Sequence, residues 1–128
     1  MRNFKFMLVV AFAALFIACG SSAPKDVAMD FSKAMIEGKT KKLVSMIYLP
    51  EKYKNHSDEV EGKLMQMTAR VKSQVEAKGG FDRIEFVEEQ IDEDKATVKL
   101  KLHFKDGSSE DERVRLIKSD GKWKVNMK

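Results

Sequence analysis

The amino-acid sequence predicts an α+β fold, in which N-terminal helices pack on one face of a curved, four-stranded antiparallel sheet. Apolar residues recur every three or four positions before Gly80 and every second position after it, so the predicted helices precede the strands. Two Asp-Gly dipeptides, at 106–107 and 120–121, separate runs of alternating apolar and polar residues, which is typical of β-hairpins. Helices followed by an antiparallel meander indicate the α+β class.

Three helices are predicted in the first half of the chain. Pro24 suits the first position of a helix that ends at Gly38. A short second helix is predicted over 40–47, because the residue before Pro50 is forced out of the helical region. A third helix is predicted over 57–78, with Ser57 as its N-cap. Its apolar stripe comprises Val60, Leu64, Met67, Val71 and Val75.

Four strands are predicted after Gly80, each with one face toward the core. The first ends near Ile91, and the second alternates cleanly over 96–104. The apolar positions that mark the strands are Ile84, Phe86 and Val87, then Ala96, Val98, Leu100, Leu102 and Phe104, then Val114 and Leu116, and finally Trp123, Val125 and Met127. We therefore expect residues 24–128 to form a single domain.

The first 18 residues have the pattern of a signal peptide. Arg2 and Lys5 provide a positive start, and the 13 residues of 6–18 are all apolar. A helix of that length spans ~20 Å, which is less than the roughly 30 Å hydrocarbon core of a bilayer. The sequence therefore predicts a cleaved export signal over 1–18.

The junction Phe16-Ile17-Ala18-Cys19 resembles the lipobox of bacterial lipoproteins, although that pattern most often has Leu where Phe16 stands. The resemblance implies cleavage between Ala18 and Cys19 and attachment of diacylglycerol, with further acylation such as palmitate, to Cys19. A single cysteine in an exported chain also has no disulfide partner. The alternatives are ordinary secretory cleavage, for which Ala18-Cys19-Gly20 or Ser21-Ser22-Ala23 could serve, and retention in the cytosol.

Residues 19–23 would then form a short tether between the lipid and the domain. The residues after Cys19 reach at most ~14 Å before Pro24, so the domain is expected to lie close to the bilayer. Removal of Arg2 and Lys5 with the signal peptide lowers the formal net charge from +4 to +2. This near-balanced charge, in an exported chain, argues against nucleic acid as a partner. Gly20 is not the aspartate that is associated with inner-membrane retention of such lipoproteins, so the resemblance implies the outer membrane in a Gram-negative host and otherwise the outer face of the plasma membrane.

The mature chain resembles the nuclear-transport-factor-2-like superfamily, also called cystatin-like, whose α+β domains are cone-shaped. More narrowly, it is similar to bacterial lipoproteins described as lumazine-binding-like domains of unknown function. The residues that carry the likeness are 24–31, Gly38-Lys39-Thr40 and the closing motif Asp120-Gly121-Lys122-Trp123-Lys124-Val125; the family often has Asp where Lys39 stands. The resemblance implies a cone between helices and sheet that can hold a ligand, and in some members an isomerase or dehydratase.

Two candidate surfaces follow from this interpretation. The candidate lining of the cone pocket is Phe31, Met35, Ile47, Tyr48, Leu100, Leu102 and Trp123. The candidate basic face, on the opposite side of the sheet, is Lys99, Lys101, Arg113, Arg115, Lys122 and Lys124. An ordinary solvated face, neutralised by acidic residues such as Glu85, Glu89, Glu110, Asp111 and Glu112, is the alternative for the second surface.

No catalytic residue, cofactor or metal is predicted. His103 shares the outward parity of Lys99 and Lys101, and His56 falls in a segment before the third helix, so neither is expected to meet a buried carboxylate. One cysteine and two histidines cannot form a four-ligand zinc site without carboxylates. The methionines are interpreted as core filling.

The sequence therefore predicts a non-enzymatic, lipid-anchored protein of the bacterial cell envelope. Its partners are the membrane, through the N-terminal lipid, and a small apolar ligand or an envelope protein. A homodimerising or docking module without a ligand is the first alternative, and an isomerase or dehydratase in the cone pocket is the second. A ligand binder requires unfilled apolar space between the helices and the sheet.

Overall fold

The computed structural model describes residues 23–127, so the predicted signal peptide and Cys19 lie outside the described residues. The helices are α1 (Pro24–Glu37), α2 (Thr40–Met46), a 3-10 helix (Glu51–His56) and α3 (Ser57–Ala77). The strands are β1 (Phe81–Asp92), β2 (Lys95–Phe104), β3 (Ser109–Ser119) and β4 (Lys122–Val125). Each is antiparallel to its neighbour, in the order β1-β2-β3-β4. The predicted α+β fold is confirmed.

The helix ends follow the sequence signals, with one exception. Pro24 occupies the first turn of α1, and Gly38 ends the helix with φ +74°, a left-handed conformation that glycine adopts without strain. Ser57 was predicted to cap the third helix, and this prediction is wrong. Ser57 is the first residue of α3, because the 3-10 helix runs directly into it, and His56 occupies the N-cap position without a capping side-chain hydrogen bond.

The last hairpin forms as the Asp-Gly signal predicts. Asp120 and Gly121 both have positive φ, +52° and +77°, which is the geometry of the type I′ turn that matches the twist of the flanking strands. Beyond β4, Ile47 forms a parallel bridge to Val125, and the Tyr48 amide donates to the Val125 carbonyl at 2.8 Å. The segment after α2 thereby extends the sheet along β4.

A bulge at Val87 reverses the parity of β1. Phe86 lies opposite Leu100, but the next paired residue is Glu88, opposite Lys99, so Val87 is the extra residue. Glu89 therefore shares the helix-covered face with Phe86, and Glu88 faces outward. The side chain of Glu89 accepts a hydrogen bond from the backbone N–H of Lys25 at 2.8 Å, which ties the start of α1 to β1.

The core lies between the helices and the inner face of the sheet. Helix α1 contacts all four strands, and α3 packs against α1 and α2. The largest fully buried side chains are Leu43, Leu64, Leu100 and Val98, which come from both layers. Between residues 23 and 127, no helix is both long and apolar enough to cross a membrane.

Candidate functional site

A small cleft opens between α1, the C-terminal half of α3 and the inner face of the sheet. Its volume is about 100 Å³. The lining residues are Ser32, Met35, Ile36, Val71, Gln74, Val75, Lys78, Leu102, Phe104, Glu110 and Glu112. The cleft is therefore mostly apolar, with a few polar groups that converge on it.

Glu112 is the acidic group that lies deepest in this cleft. It sits on β3 opposite Leu100, on the inner face of the sheet, and its Oε1 accepts a hydrogen bond from the Ser32 hydroxyl at 3.2 Å. Burial raises the pKa of Glu112, and the nearby negative charge of Glu110 raises it further, whereas the hydrogen bond from Ser32 opposes the shift. The site thus holds a carboxyl group that takes up a proton more readily than an exposed glutamate.

The mouth of the cleft is spanned by an ion pair between Lys78 and Glu110. The Lys78 ammonium also lies 4.7 Å from the centroid of the Phe104 ring. The backbone of Lys78 is fixed, because its carbonyl accepts a hydrogen bond from the Asp106 amide at 3.1 Å, which joins the end of α3 to the β2–β3 turn. One cation and one carboxylate therefore flank the entrance, and Glu112 lies behind them.

The residues predicted to line the pocket are distributed over the whole domain. Met35 and Leu102 line the cleft. Phe31, Ile47 and Leu100 are buried in the packed core. Tyr48 lies beside β4, and Trp123 packs partly buried against the core, with the Lys118 ammonium 5.7 Å from its ring centroid. Most of the space between the helices and the sheet is filled, and the cleft is confined to one end.

Both histidines lie away from the cleft. His103 Nε2 is 2.7 Å from Glu85 Oε1 on the outer face of the sheet, and this hydrogen bond lowers the pKa of Glu85. His56 Nδ1 is 3.6 Å from Glu59 Oε1 at the start of α3. In the described part of the chain, no group of three or more His, Cys, Asp or Glu side chains is arranged to hold a metal ion.

The candidate basic residues all project from the outer face of the sheet or its edge. Lys99 is 3.7 Å from Glu88 and Lys101 is 3.9 Å from Asp111, so these two are partly neutralised. Lys124 donates to the Ser45 carbonyl at 2.8 Å. The acidic residues considered as neutralising partners divide between the faces: Glu85 and Asp111 point outward with the basic residues, whereas Glu89, Glu110 and Glu112 lie on the inner face.

The sequence reasoning missed Glu112, Ser32 and Lys78. The alternation of β3 contains the signal, because Glu112 has the same parity as Val114 and Leu116, which are both buried. An acidic residue on the inward parity of an otherwise half-buried strand is therefore a marker of a candidate site. Ser32 and Lys78 carry no such signal, since only tertiary packing brings α1 and the end of α3 to this strand.

Comparison with known proteins supports the fold and the family. The sequence model of a family described as Domain of unknown function (DUF4878) matches residues 17–126. The crystal structure of a Campylobacter jejuni protein, provisionally named an NTF2-like transpeptidase, is similar with a TM-score of 0.76 and 30% identity, covering 84% of this chain and 100% of that chain. The nuclear-transport-factor-2-like fold is thereby confirmed.

A more distant likeness extends to the fold alone. The solution structure of a SEC-C motif containing protein from Rhodopseudomonas palustris has a TM-score of 0.51 and 13% identity, covering 87% of this chain and 82% of that chain. No curated protein sequence matches the chain.

Proposed function

The chain belongs to the DUF4878 family of domains of unknown function. From this premise we propose that it is a lipid-anchored, non-enzymatic domain of the bacterial cell envelope. We propose that this domain binds a small ligand in the cleft beside Glu112. The observation that supports this proposal most directly is the position of Glu112. A carboxyl group of raised pKa, hydrogen-bonded to Ser32 and bordered by apolar walls, is the combination expected of a binding site rather than of a packed core.

The size of the cleft limits what it can hold. A volume of about 100 Å³ suits only a small chemical group. Pockets for drug-sized ligands are larger, at roughly 300–1,000 Å³. The ligand would therefore insert a small apolar end against Leu102 and Val71, with a hydrogen-bonding group toward Glu112. The rest of it would lie at the mouth, near Lys78 and Glu110.

Lipid anchoring is the second part of the proposal. It is supported by the apolar run 6–18, by the junction at Ala18 and Cys19, and by the short distance in sequence from Cys19 to the start of α1 at Pro24. Two or more acyl chains hold a protein stably on a membrane, because each buried methylene contributes ~0.8 kcal/mol and one chain alone is marginal. The anchored domain would then present its cleft within a short distance of the bilayer.

Ligand binding can be tested with a variant that fills the cleft. Val71 lines the cleft on α3, and Met65 lies on the same helix but is 57% exposed. We expect native mass spectrometry of the purified full chain to show a retained small molecule, and Val71→Phe to lose it while Met65→Phe keeps it. Titration with n-butanol, a small amphiphile with a hydroxyl group, should shift the NMR signals of residues around Glu112 in the parent chain and not in Val71→Phe.

Three outcomes would contradict the proposal. The ligand-binding proposal would be wrong if the parent chain retains no small molecule and n-butanol leaves the NMR signals around Glu112 unchanged. Binding elsewhere would be indicated if both variants keep the ligand equally. Conversion of a bound molecule to a product would contradict the non-enzymatic part.

A further inference from the structure

The outer face of the sheet is open, and its charges are unevenly distributed. The three α-helices pack on the inner face, where the buried residues of the strands lie. The outward acidic residues concentrate on β1, namely Glu85, Glu88 and Asp92. The outward residues Arg113, Arg115, Lys122 and Lys124 of β3 and β4, called here the basic strip, form a positive region beyond them.

Most of the basic strip has no neutralising partner. Lys99 and Lys101 of β2 pair with acidic neighbours, and Lys124 donates to a backbone carbonyl. Among residues 23–127, no ion pair reaches Arg113, Arg115 or Lys122, and all three are exposed. Glu85 and Glu88 of the acidic half are thus paired within the sheet, whereas most of the basic strip remains available to an external anion.

The sheet also tolerates a like-charge contact at the border of this strip. Lys99 lies directly opposite Arg113 in the β2–β3 register, and like charges in that position destabilise a sheet. Next to this pair is a groove of about 540 Å³ on the outer face. Its charged lining residues are balanced, namely Lys99, Lys101 and Arg113 with Glu85, Asp111 and Glu112. A like-charge pair that lowers stability beside an open groove is expected where the binding of an anionic partner compensates for the repulsion.

We propose that the basic strip, whose Arg113 borders the groove, binds an acidic segment of a partner protein. Carboxylates suit this surface, because the planar guanidinium groups of Arg113 and Arg115 can pair with them in a bidentate geometry. A bilayer fits less well, because the chain enters α1 beside Glu89 on the inner face of the sheet, whereas the basic strip lies on the outer face.

The inference can be tested on the full chain, purified in a non-ionic detergent, with a fluorescein-labelled oligoglutamate peptide as the probe. The strip variant is Arg113→Glu with Arg115→Glu. The matched control is Arg70→Glu with Lys72→Glu, which makes the same change of charge at two exposed positions of α3. We expect anisotropy to show a roughly tenfold or greater loss of affinity in the strip variant and little change in the control. Circular dichroism melts would establish that both variants fold.

The other outcomes overturn the inference. Equal losses in the two variants would mean that the peptide responds to net charge alone. Binding of phosphatidylglycerol vesicles that depends on Arg113 and Arg115, without binding of the peptide, would identify a bilayer as the occupant. Sedimentation that shows a dimer broken by the strip variant would identify a second copy of the chain. The cleft lies on the opposite face and shares only Glu112 of its lining with the groove, so its ligand is tested separately by the Val71→Phe variant.

Discussion

Glu112 carries a carboxyl group on the helix-covered face of the sheet, where burial opposes its ionisation. The pKa of Glu112 is raised above its ordinary value of 4.5 by burial first, and then by the charge of Glu110. The folded protein therefore binds more protons than the unfolded chain in the range between the two pKa values. In that range the free energy of unfolding falls as pH rises. Above it, the loss of stability caused by the buried charge of Glu112 stays constant.

The variant Glu112→Gln should remove this penalty. The glutamine oxygen can still accept the Ser32 hydroxyl, but no charge is buried. At neutral pH we expect the free energy of unfolding to rise by on the order of 1 kcal/mol. Well below pH 4.5, where the Glu112 carboxyl is protonated in both the folded and the unfolded state, the difference from the parent should disappear. Urea unfolding at several pH values measures this. Asp111→Asn, on the outer face of the same strand, is the control, and its stability should depend on pH as that of the parent does. If Glu112→Gln shows that same dependence, the buried charge of Glu112 does not lower the stability of the parent.

The same residue shows what the sequence could predict at this scale. The inward parity of Glu112 is readable from the buried alternation of β3. The partner hydroxyl of Ser32 is not readable, because it comes from α1, 80 positions earlier in the chain. Residue types and faces were predictable, whereas the pairing of polar groups across layers depends on how the helices sit on the sheet.

At the scale of the element, α1 lacks a side-chain cap of its own. Ala23 occupies the N-cap and has no capping side chain, although the first turn carries exposed backbone N–H groups. Glu89, brought to the inner face by the bulge at Val87, accepts the hydrogen bond of the Lys25 amide instead. A strand therefore supplies both the hydrogen-bond acceptor and the negative charge that a helix N-terminus favours.

Glu89→Ala should accordingly lower the free energy of unfolding by about 1 kcal/mol. Glu88→Ala is the matched control, because Glu88 is the neighbouring acid and faces outward in an exposed ion pair with Lys99. Such pairs contribute ~0–1 kcal/mol, so a smaller effect is expected. Thermal and urea unfolding of both variants measure the difference. If Glu88→Ala lowers the free energy of unfolding as much as Glu89→Ala does, the hydrogen bond from the Lys25 amide to Glu89 does not account for the effect.

Elements whose signals are local were predicted from the sequence, and those set by packing were not. Pro24, Gly38 and the Asp120-Gly121 turn each fix a boundary through their own backbone preferences. The 3-10 helix over 51–56 and the bulge at Val87 have no such marker in the chain. The bulge decides which of Glu88 and Glu89 faces the helices, so a strict alternation misassigns this part of β1.

At the scale of the whole molecule, two opposite faces of one sheet have separate roles in our proposals. The inner face holds a packed core with a small cleft at one end, and the outer face holds the basic strip. The sequence predicted the layers and the outward basic residues. It could not predict that the cone is mostly filled, because the free volume between layers depends on how side chains from α1, α3 and the sheet interlock.

Anchoring through Cys19 would determine how the two faces of the sheet are presented in the envelope. A single substitution at Cys19 tests whether the chain is anchored. When the full chain is produced in a bacterial host that processes lipoproteins, we expect it in the membrane fraction, with Cys19 as its first residue and with the mass of attached acyl chains. Cys19→Ser should leave the membrane fraction and lack that mass, since the thiol is the atom acylated in the lipoproteins that this junction resembles. Ser21→Ala keeps the cysteine and should behave as the parent. If the parent chain begins at another residue or carries no acyl mass, the proposed lipid anchor and the assigned location are wrong. The proposals on the cleft and the basic strip do not depend on this outcome.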